Sequence, residues 1–331
     1  MTTASTIGAE LLRDDPPRGR VVTFADALAG LLERIDRNEP IIETLPCGVA
    51  LLDETTGGLV RGEYLGIVAG PGIGKSTIAD SMMLGALRID PEATGLVFAL
   101  ETTIAIRSAR LLAGCAVQVG PQNQLARYLP VGAMLRGELS EQSKPFARQV
   151  AEGLTRDIGS RLAFVDDLRS VGDIAELIRE RKPDLVLVDH LGLVEADLIS
   201  NSSGVERFDA ALHTIADAIR NVNAAGILIA ELSKAGLIAG AADLSAVRGS
   251  ARFASLAGAM IGIVRDAEHT GDNPRLIVQL HKNRHGKSMM QQAAILWGGL
   301  SYLDWQEAGP IPVNTPKRKG KGKGKDAADD E

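Results

Sequence analysis

The chain has 331 residues, of which 45% are hydrophobic, and a formal net charge of −6. This length allows one large domain with a substantial core, and the negative charge argues against a surface that coats nucleic acid by attraction alone. Aromatic residues make up only 3%, which argues against a surface that stacks many bases on rings. The sequence has no run as long and apolar as a membrane span and no apolar leader, so we expect a cytoplasmic protein with no membrane partner.

The two ends of the chain differ in composition from the middle. Residues 1–20 are polar and predict a flexible arm. Across 21–44, apolar residues recur at helical spacing up to Pro40, which predicts an amphipathic linker helix. This helix has two interpretations: it packs on its own domain, or it docks on a neighbouring subunit. Residues 309–331 hold a basic run followed by acidic residues and predict a disordered charged tail.

Between residues 45 and 308, apolar strands alternate with helical segments. The strand candidates are 64–69, 95–100, 162–166, 184–189, 226–231, 260–264, 275–281 and 291–297. Helical patterns separate the first five strands, for example 76–89, 171–182 and 205–224. This repetition predicts an α/β fold in which helices flank a twisted and mostly parallel sheet. The last strands follow one another without helices, so we expect antiparallel strands at the C-terminal edge.

The stretch IVAGPGIGKST predicts a phosphate-binding loop. It follows the pattern A-x-x-x-x-G-K-S, with Ala69 where the usual motif begins with glycine. Its glycines permit a tight turn that points N–H groups at phosphate oxygens, and the helix that follows adds its positive dipole end. Lys75 can reach the β- and γ-phosphates, and Ser76 can bind Mg²⁺. The residues expected to contact ATP are Gly70, Pro71, Gly72, Ile73, Gly74, Lys75, Ser76 and Thr77, together with Asp189.

Two carboxylates follow buried strands further along the chain. PDLVLVDHLGLV predicts a strand that lies beside the phosphate loop and ends at Asp189, where a carboxylate can hold the water shell of Mg²⁺. GLVFALETT places Glu101 after the strand that follows the phosphate-loop helix. A carboxylate there can polarise a water for in-line attack on the γ-phosphate. The motifs therefore predict an ATP hydrolase with Glu101 as base and with Ser76 and Asp189 at the metal.

With these motifs in order, the chain resembles the RecA-like motor domain of DnaB-type replicative helicases, from about residue 45 to 300. The resemblance rests on GVALLDETTGGLVRGEYLGIVAGPGIGKST, on FALE and on LVLVDHLGLV, in which His190 stands where the family usually has tyrosine. It implies a RecA-like P-loop NTPase that hydrolyses ATP in a ring, most often a hexamer, and translocates on single-stranded DNA during replication. Replication proteins such as a primase or a loader are the implied partners. Fewer than 50 residues precede the motor, so we expect no counterpart of the family's N-terminal domain.

Further segments carry the resemblance towards the C-terminus. ILIAELSKAG resembles the strand that ends in a γ-phosphate sensor, where the family usually has glutamine or histidine and this sequence has Lys234. DLSAVRGSARFASLAGAMIGIVRD resembles the segment with a DNA-facing loop, so Arg248 and Lys234 are candidate DNA contacts. LIVQLHKNRHGK resembles the family's finger strand, which implies that Lys282 and Arg284 reach the γ-phosphate of the neighbouring subunit.

Two other functions stay open on the sequence. Another RecA-like ATPase, acting in recombination or plasmid replication, would have the same phosphate loop. A nucleotide-gated loader or regulator would use ATP as a switch without unwinding DNA, and Lys234 together with the sparse basic loops favours it somewhat. Stimulation of ATP turnover by single-stranded DNA distinguishes a translocating motor from such a regulator.

Overall fold

The computed structural model describes residues 22–118, 129–196, 202–231, 251–297 and 301–310. The helices are α1 (Phe24–Asp36), α2 (Ala50–Thr56), α3 (Lys75–Ile89), α4 (Ile104–Gln118), α5 (Val131–Arg136), α6 (Ser143–Ile158), α7 (Val171–Arg181), α8 (Gly204–Asn221) and α9 (Ala251–Leu256). The strands are β1 (Thr44–Leu45), β2 (Leu59–Val60), β3 (Tyr64–Ala69), β4 (Gly95–Ala99), β5 (Leu162–Val165), β6 (Leu185–Asp189), β7 (Ala225–Glu231), β8 (Ala259–Arg265), β9 (Arg275–Asn283), β10 (Met290–Trp297) and β11 (Tyr302–Pro310).

A single large sheet organises the described residues. Its strand order is β11-β10-β9-β8-β3-β7-β6-β4-β5, and the strands from β8 to β5 run parallel. Strands β9, β10 and β11 pair antiparallel at one edge. This confirms the predicted α/β fold, including its antiparallel C-terminal edge. The eight predicted strand segments correspond to β3–β10, whereas β11 is an additional edge strand.

Apolar side chains on both faces of the sheet produce two cores. In β3, Leu65 and Ile67 face the core that contains α3, whereas Tyr64 and Val68 face the core that contains α7 and α8. Strand β6 alternates in the same way between the two clusters. Because successive side chains of a strand point to opposite faces, continuous apolar strands are stable only where helices cover both sides. The doubly covered sheet thus holds the carboxyl ends of β3, β7, β6 and β4 along one rim.

The two glycines in the lead-in to β3 have a steric reason. Gly57 ends α2 in the left-handed conformation, at φ 82°. Gly58 follows at φ 116°, and a Cβ built there would lie 2.3 Å from the carbonyl oxygen of Leu45. Strand β2 follows this turn directly and pairs antiparallel with β1, which precedes α2, so that Leu59 lies opposite Leu45. Glycine is therefore required for the chain to turn back tightly into β3.

Helix α1 lies within the predicted linker segment 21–44 but is shorter than it. Thr23 caps its first turn by accepting a hydrogen bond from the N–H of Asp26. None of the residues of α1 is buried against the described part of the chain. Four large apolar residues of the helix are exposed, namely Phe24, Leu28, Leu32 and Ile35, whereas Leu31 is half-buried.

The terminal segments lie mostly outside the described residues. That holds for the predicted arm 1–20 and for 311–331 of the predicted tail. Strand β11 continues to Pro310, so regular structure extends two residues beyond the predicted end of the domain at 308. No helix in the described ranges is long and apolar enough to cross a membrane.

Candidate functional site

The phosphate loop lies where the sequence predicts it, between a buried strand and a helix. Strand β3 ends at Ala69 and helix α3 begins at Lys75, so the predicted residues from Gly70 to Thr77 form the turn and the first turn of the helix. Gly74 caps the helix at φ 107°, and a side chain there would lie 3.1 Å from Leu296. Both the conformation and the contact require glycine at this position. The free N–H groups of the first helical turn are available to a phosphate anion.

Lys75 is held beneath this loop. Its side chain is buried, and Nζ donates to the carbonyl oxygens of Ala69 at 3.3 Å and Gly70 at 3.0 Å. Burial lowers the pKa of Lys75, and the negative charges of Glu231, Glu101 and Asp189 oppose that effect. Three carboxylates, located at or just after the ends of three strands, are thus close enough to stabilise the positive charge of the lysine. A cation in this position suits the β- and γ-phosphates of a nucleoside triphosphate.

Glu101 and Asp189 lie together at the rim of the sheet. Strands β4 and β6 pair in parallel, with Ala99 opposite Asp189. The backbone N–H groups of Leu100 and Glu101 both donate to the carbonyl oxygen of Asp189, at 2.8 and 3.2 Å. The side chain of Glu101 is exposed, which leaves its carboxylate accessible to water and substrate. Strand β7 separates β3 from β6, and Asp189 is nevertheless close enough to the phosphate loop to affect the charge of Lys75.

Asp189 has one occupied and one free carboxylate oxygen. The residue is only 2% exposed, and Oδ2 accepts a hydrogen bond of 2.8 Å from Nη1 of Arg107. Oδ1 is buried without a hydrogen-bond partner among the described residues. A buried carboxylate oxygen of this kind is a suitable acceptor for the water shell of Mg²⁺, which binds hard oxygen donors.

The oxygen donors beside the loop suit magnesium, which needs few protein ligands. Within the described ranges, no group of three or more His, Cys, Asp or Glu side chains could hold a metal ion. Mg²⁺ typically takes one or two protein oxygens and completes its shell with waters and substrate phosphates. The hydroxyl of Ser76, at the start of α3, and Oδ1 of Asp189 are the oxygens that would be available to such an ion.

Several residues of the site are not singled out by the sequence analysis. Glu231 ends β7 directly opposite Ala69 of the phosphate-loop strand. It follows a buried apolar strand as Asp189 does, so the same signal identifies it. Arg265 ends β8 and donates to the carbonyl oxygen of Gly72 at 3.4 Å. Arg107 lies in a helical segment with no motif, and nothing in the local sequence marks it.

Lys282 and Arg284 lie at the opposite end of the sheet from the phosphate loop. The end of β9 pairs with the beginning of β8. Lys282 donates to the carbonyl oxygens of Ala254 and Ser255, and Arg284 forms an ion pair of 2.8 Å with Glu63. The chain therefore does not bring these cations to its own loop, and their predicted action on a neighbour stays a prediction. Two further candidate contacts, Lys234 and Arg248, lie outside the described residues.

A mostly parallel sheet that presents a phosphate loop, a buried aspartate and an exposed glutamate along one rim defines a P-loop nucleoside triphosphatase of the RecA-like class. Residues 44–297 match the family described as the DnaB-like helicase C terminal domain, and the chain belongs to that family. This confirms the resemblance inferred from the phosphate loop, the FALE segment and the strand ending at Asp189.

Comparisons with individual proteins agree with the family. The chain is 27% identical over 211 residues to the replicative DNA helicase DnaB of Rhodothermus marinus, which covers 62% of this chain and 21% of that protein. The chain thus spans about a fifth of the length of this curated relative.

Solved structures share the fold at low sequence identity. A DnaB-like replicative helicase, described with its interactions with primase, superposes with a TM-score of 0.69 at 19% identity, over 91% of this chain and 70% of that chain. The ATPase domain of G40P gives a TM-score of 0.70 at 20% identity, over 87% of this chain and 100% of that chain. A KaiC-like protein of Pyrococcus horikoshii OT3 gives 0.51 at 13% identity, over 80% of this chain and 100% of that chain.

Proposed function

We propose that the chain is the ATP-hydrolysing motor of a ring-shaped DNA helicase that translocates on single-stranded DNA during replication. The observation that carries the proposal is the arrangement of Glu101, Asp189 and Glu231 on strand ends around the charge of Lys75. Membership of the DnaB-like family supports DNA unwinding, rather than another ATP-dependent process, as the use of this hydrolysis.

Each residue has a distinct part in the proposed reaction. The loop N–H groups and Lys75 bind the β- and γ-phosphates of ATP and neutralise their charge. Ser76 and Asp189 hold Mg²⁺, which supplies further charge neutralisation at the phosphates when bound. The exposed carboxylate of Glu101 orients a water and accepts its proton as the water attacks the γ-phosphate. The buried surroundings of Lys75 and Asp189 strengthen these electrostatic effects.

The proposal includes a homo-oligomeric ring, most simply a hexamer. Lys282 and Arg284 are far from the loop of their own chain, so they can act on a γ-phosphate only if a second copy of the chain brings them there. The exposed apolar residues of α1 favour the interpretation that this helix docks on a neighbouring subunit. A solitary amphipathic helix with an exposed apolar face is unfavourable in water unless a partner covers it.

Polar substitutions on α1 are expected to disrupt the ring. In Leu28→Ser combined with Leu32→Ser, the apolar face loses surface that a neighbour would bury, and assembly should shift towards monomers. Sedimentation velocity with ATP and Mg²⁺ measures the shift. Glu33→Ser, on the polar side of the same helix, is the matched control and should assemble as the wild type does. A ring of unchanged stability in the double variant would show that α1 does not hold the subunits together.

Single-stranded DNA is the proposed substrate track, and a primase or a loader the proposed partner. The solved DnaB-like helicase described with primase supports that suggestion for relatives of this fold. A replicative motor works where the chromosome is, so cytoplasmic localisation forms part of the same proposal.

ATP-dependent strand displacement tests the function. The wild-type protein is expected to unwind a forked duplex with ATP and Mg²⁺. Lys75→Ala should abolish unwinding, because the loop loses the cation that binds the phosphates. Hydrolysis without strand displacement by the wild type, on forks of either polarity, would contradict the helicase and favour another RecA-like ATPase. ATP binding with negligible turnover would favour the nucleotide-gated loader or regulator.

A further inference from the structure

Arg107 is a buried arginine that the proposed chemistry does not yet use. It lies in the first turn of α4 and is 1% exposed. Arginine is almost never buried to this extent unless its charge is paired. Its guanidinium donates from Nε to Oδ1 of Asp80 at 3.1 Å and from Nη2 to the same oxygen, and from Nη1 to Oδ2 of Asp189 at 2.8 Å.

The two carboxylates belong to the two elements that carry the proposed magnesium donors. Asp80 lies on α3 one helical turn after Ser76, and Asp189 ends β6. Burial lowers the pKa of Arg107, but the charges of Asp80 and Asp189 outweigh that effect, so its pKa is raised and it stays a cation. The planar guanidinium therefore ties α3 to β6 across the rim of the sheet.

The bond to Asp189 also determines which oxygen stays available. Because Arg107 occupies Oδ2, the carboxylate is fixed about its terminal bond, and the buried oxygen left without a hydrogen-bond partner is Oδ1. Without the guanidinium, two buried carboxylates would face each other uncompensated, and the aspartate would be free to rotate. A residue that orients a ligand in this way affects metal affinity without touching the metal.

We propose that Arg107 is a positioning residue for Mg²⁺–nucleotide: it presents Oδ1 of Asp189 to the magnesium shell and fixes α3, with Ser76, relative to β6. This inference rests on the proposed binding of ATP and Mg²⁺, but it does not require DNA unwinding. Lysine cannot replace arginine here, because a single ammonium group cannot bridge both carboxylates with the geometry of the planar fork.

The test is the gain in nucleotide affinity that Mg²⁺ provides. A fluorescent non-hydrolysable ATP analogue is titrated into the full-length wild type and Arg107→Lys, each with Mg²⁺ and with EDTA. In Arg107→Lys the Mg²⁺-dependent gain should fall about tenfold or more, as for other residues that orient metal ligands. Affinity in EDTA should change by less than a few fold. The Mg²⁺ concentration for half-maximal hydrolysis should rise by a similar factor.

The matched control is Arg161→Lys. The guanidinium of Arg161 also forms several hydrogen bonds, to the carbonyl oxygens of Leu87, Asp90, Ala93 and Asp157. These contacts lie near the C-terminal end of α3, away from the phosphate loop. Its replacement is expected to lower stability while the Mg²⁺-dependent gain stays at the wild-type value. This separates a positioning effect from a general loss of structure.

Asp80→Asn provides a second variant that preserves shape and keeps the Arg107–Asp189 bond. It removes the charge that anchors Arg107 to α3, so the gain should fall in the same direction by a smaller factor. A folded Arg107→Lys with the wild-type gain, or with an equal loss in Mg²⁺ and EDTA, would overturn the inference. If Arg107→Lys does not fold, a wild-type gain in Asp80→Asn would overturn it. Failure of the helicase proposal can be distinguished from failure of the Arg107 proposal. A wild type that binds Mg²⁺–nucleotide without unwinding DNA would contradict only the helicase proposal.

Discussion

Glu101→Gln is expected to abolish ATP hydrolysis while leaving ATP binding intact. The substitution keeps the shape of the side chain but removes the group that accepts a proton from the attacking water. Loss of a general base lowers turnover by about 10²- to 10⁴-fold. The side chain of Glu101 is exposed, so the folded structure should not depend on its charge. Steady-state hydrolysis and equilibrium binding of a fluorescent nucleotide measure the two effects.

Two matched variants make this result specific. Glu92→Gln changes an exposed glutamate beyond the far end of α3 and should leave turnover unchanged. Glu231→Gln tests the other glutamate that interacts electrostatically with Lys75. Retained turnover in Glu101→Gln together with lost turnover in Glu231→Gln would assign the base to β7 instead of β4.

Arg284→Ala is expected to lower turnover by about 10³-fold, in the range measured for arginines that stabilise phosphoryl-transfer transition states in trans. In its own chain Arg284 contacts Glu63 and carbonyl oxygens of α9, all at the end of the sheet remote from the phosphate loop. The ion pair is partly exposed, so its loss should have little effect on stability. Hydrolysis rates and thermal unfolding separate the two effects. Lys282→Ala should lower turnover for the same reason.

Mixing variants determines whether Arg284 acts across an interface. Rings formed from Arg284→Ala and Glu101→Gln contain interfaces at which one subunit supplies an intact base and its neighbour an intact arginine. Such mixtures should regain part of the activity that each variant lacks alone. Glu63→Gln, which removes the partner of Arg284 within the chain, is the control and should keep its turnover. Mixtures that stay inactive would show that Arg284 does not act in trans.

The sequence predicts the parts of this structure that depend on local pattern. Continuous apolar runs identify β3, β4, β6 and β7. Helices cover both faces of these strands, so both sets of alternating side chains are apolar. The phosphate loop can also be predicted from the local sequence, because Gly74 and Lys75 lie within the turn that they form. Asp189 and Glu101 follow from their place after apolar strands.

The remainder depends on contacts between distant segments. The position of β7 between β3 and β6 is a property of chain topology, which no local pattern contains. Among the described strands, β11 pairs on one side only, and it carries polar residues, so it lacks the continuous apolar signal. Arg107 contacts Asp80 and Asp189, which lie 27 and 82 residues away in sequence, and only the folded chain brings them together.

Steady-state ATP hydrolysis by the purified protein, with and without single-stranded DNA at low salt, tests the central claim most directly. Low salt is required because phosphate contacts weaken steeply as salt rises. A motor that couples hydrolysis to a strand in its ring predicts strong stimulation by DNA. ATP binding accompanied by slow turnover that is the same with and without DNA would contradict the motor.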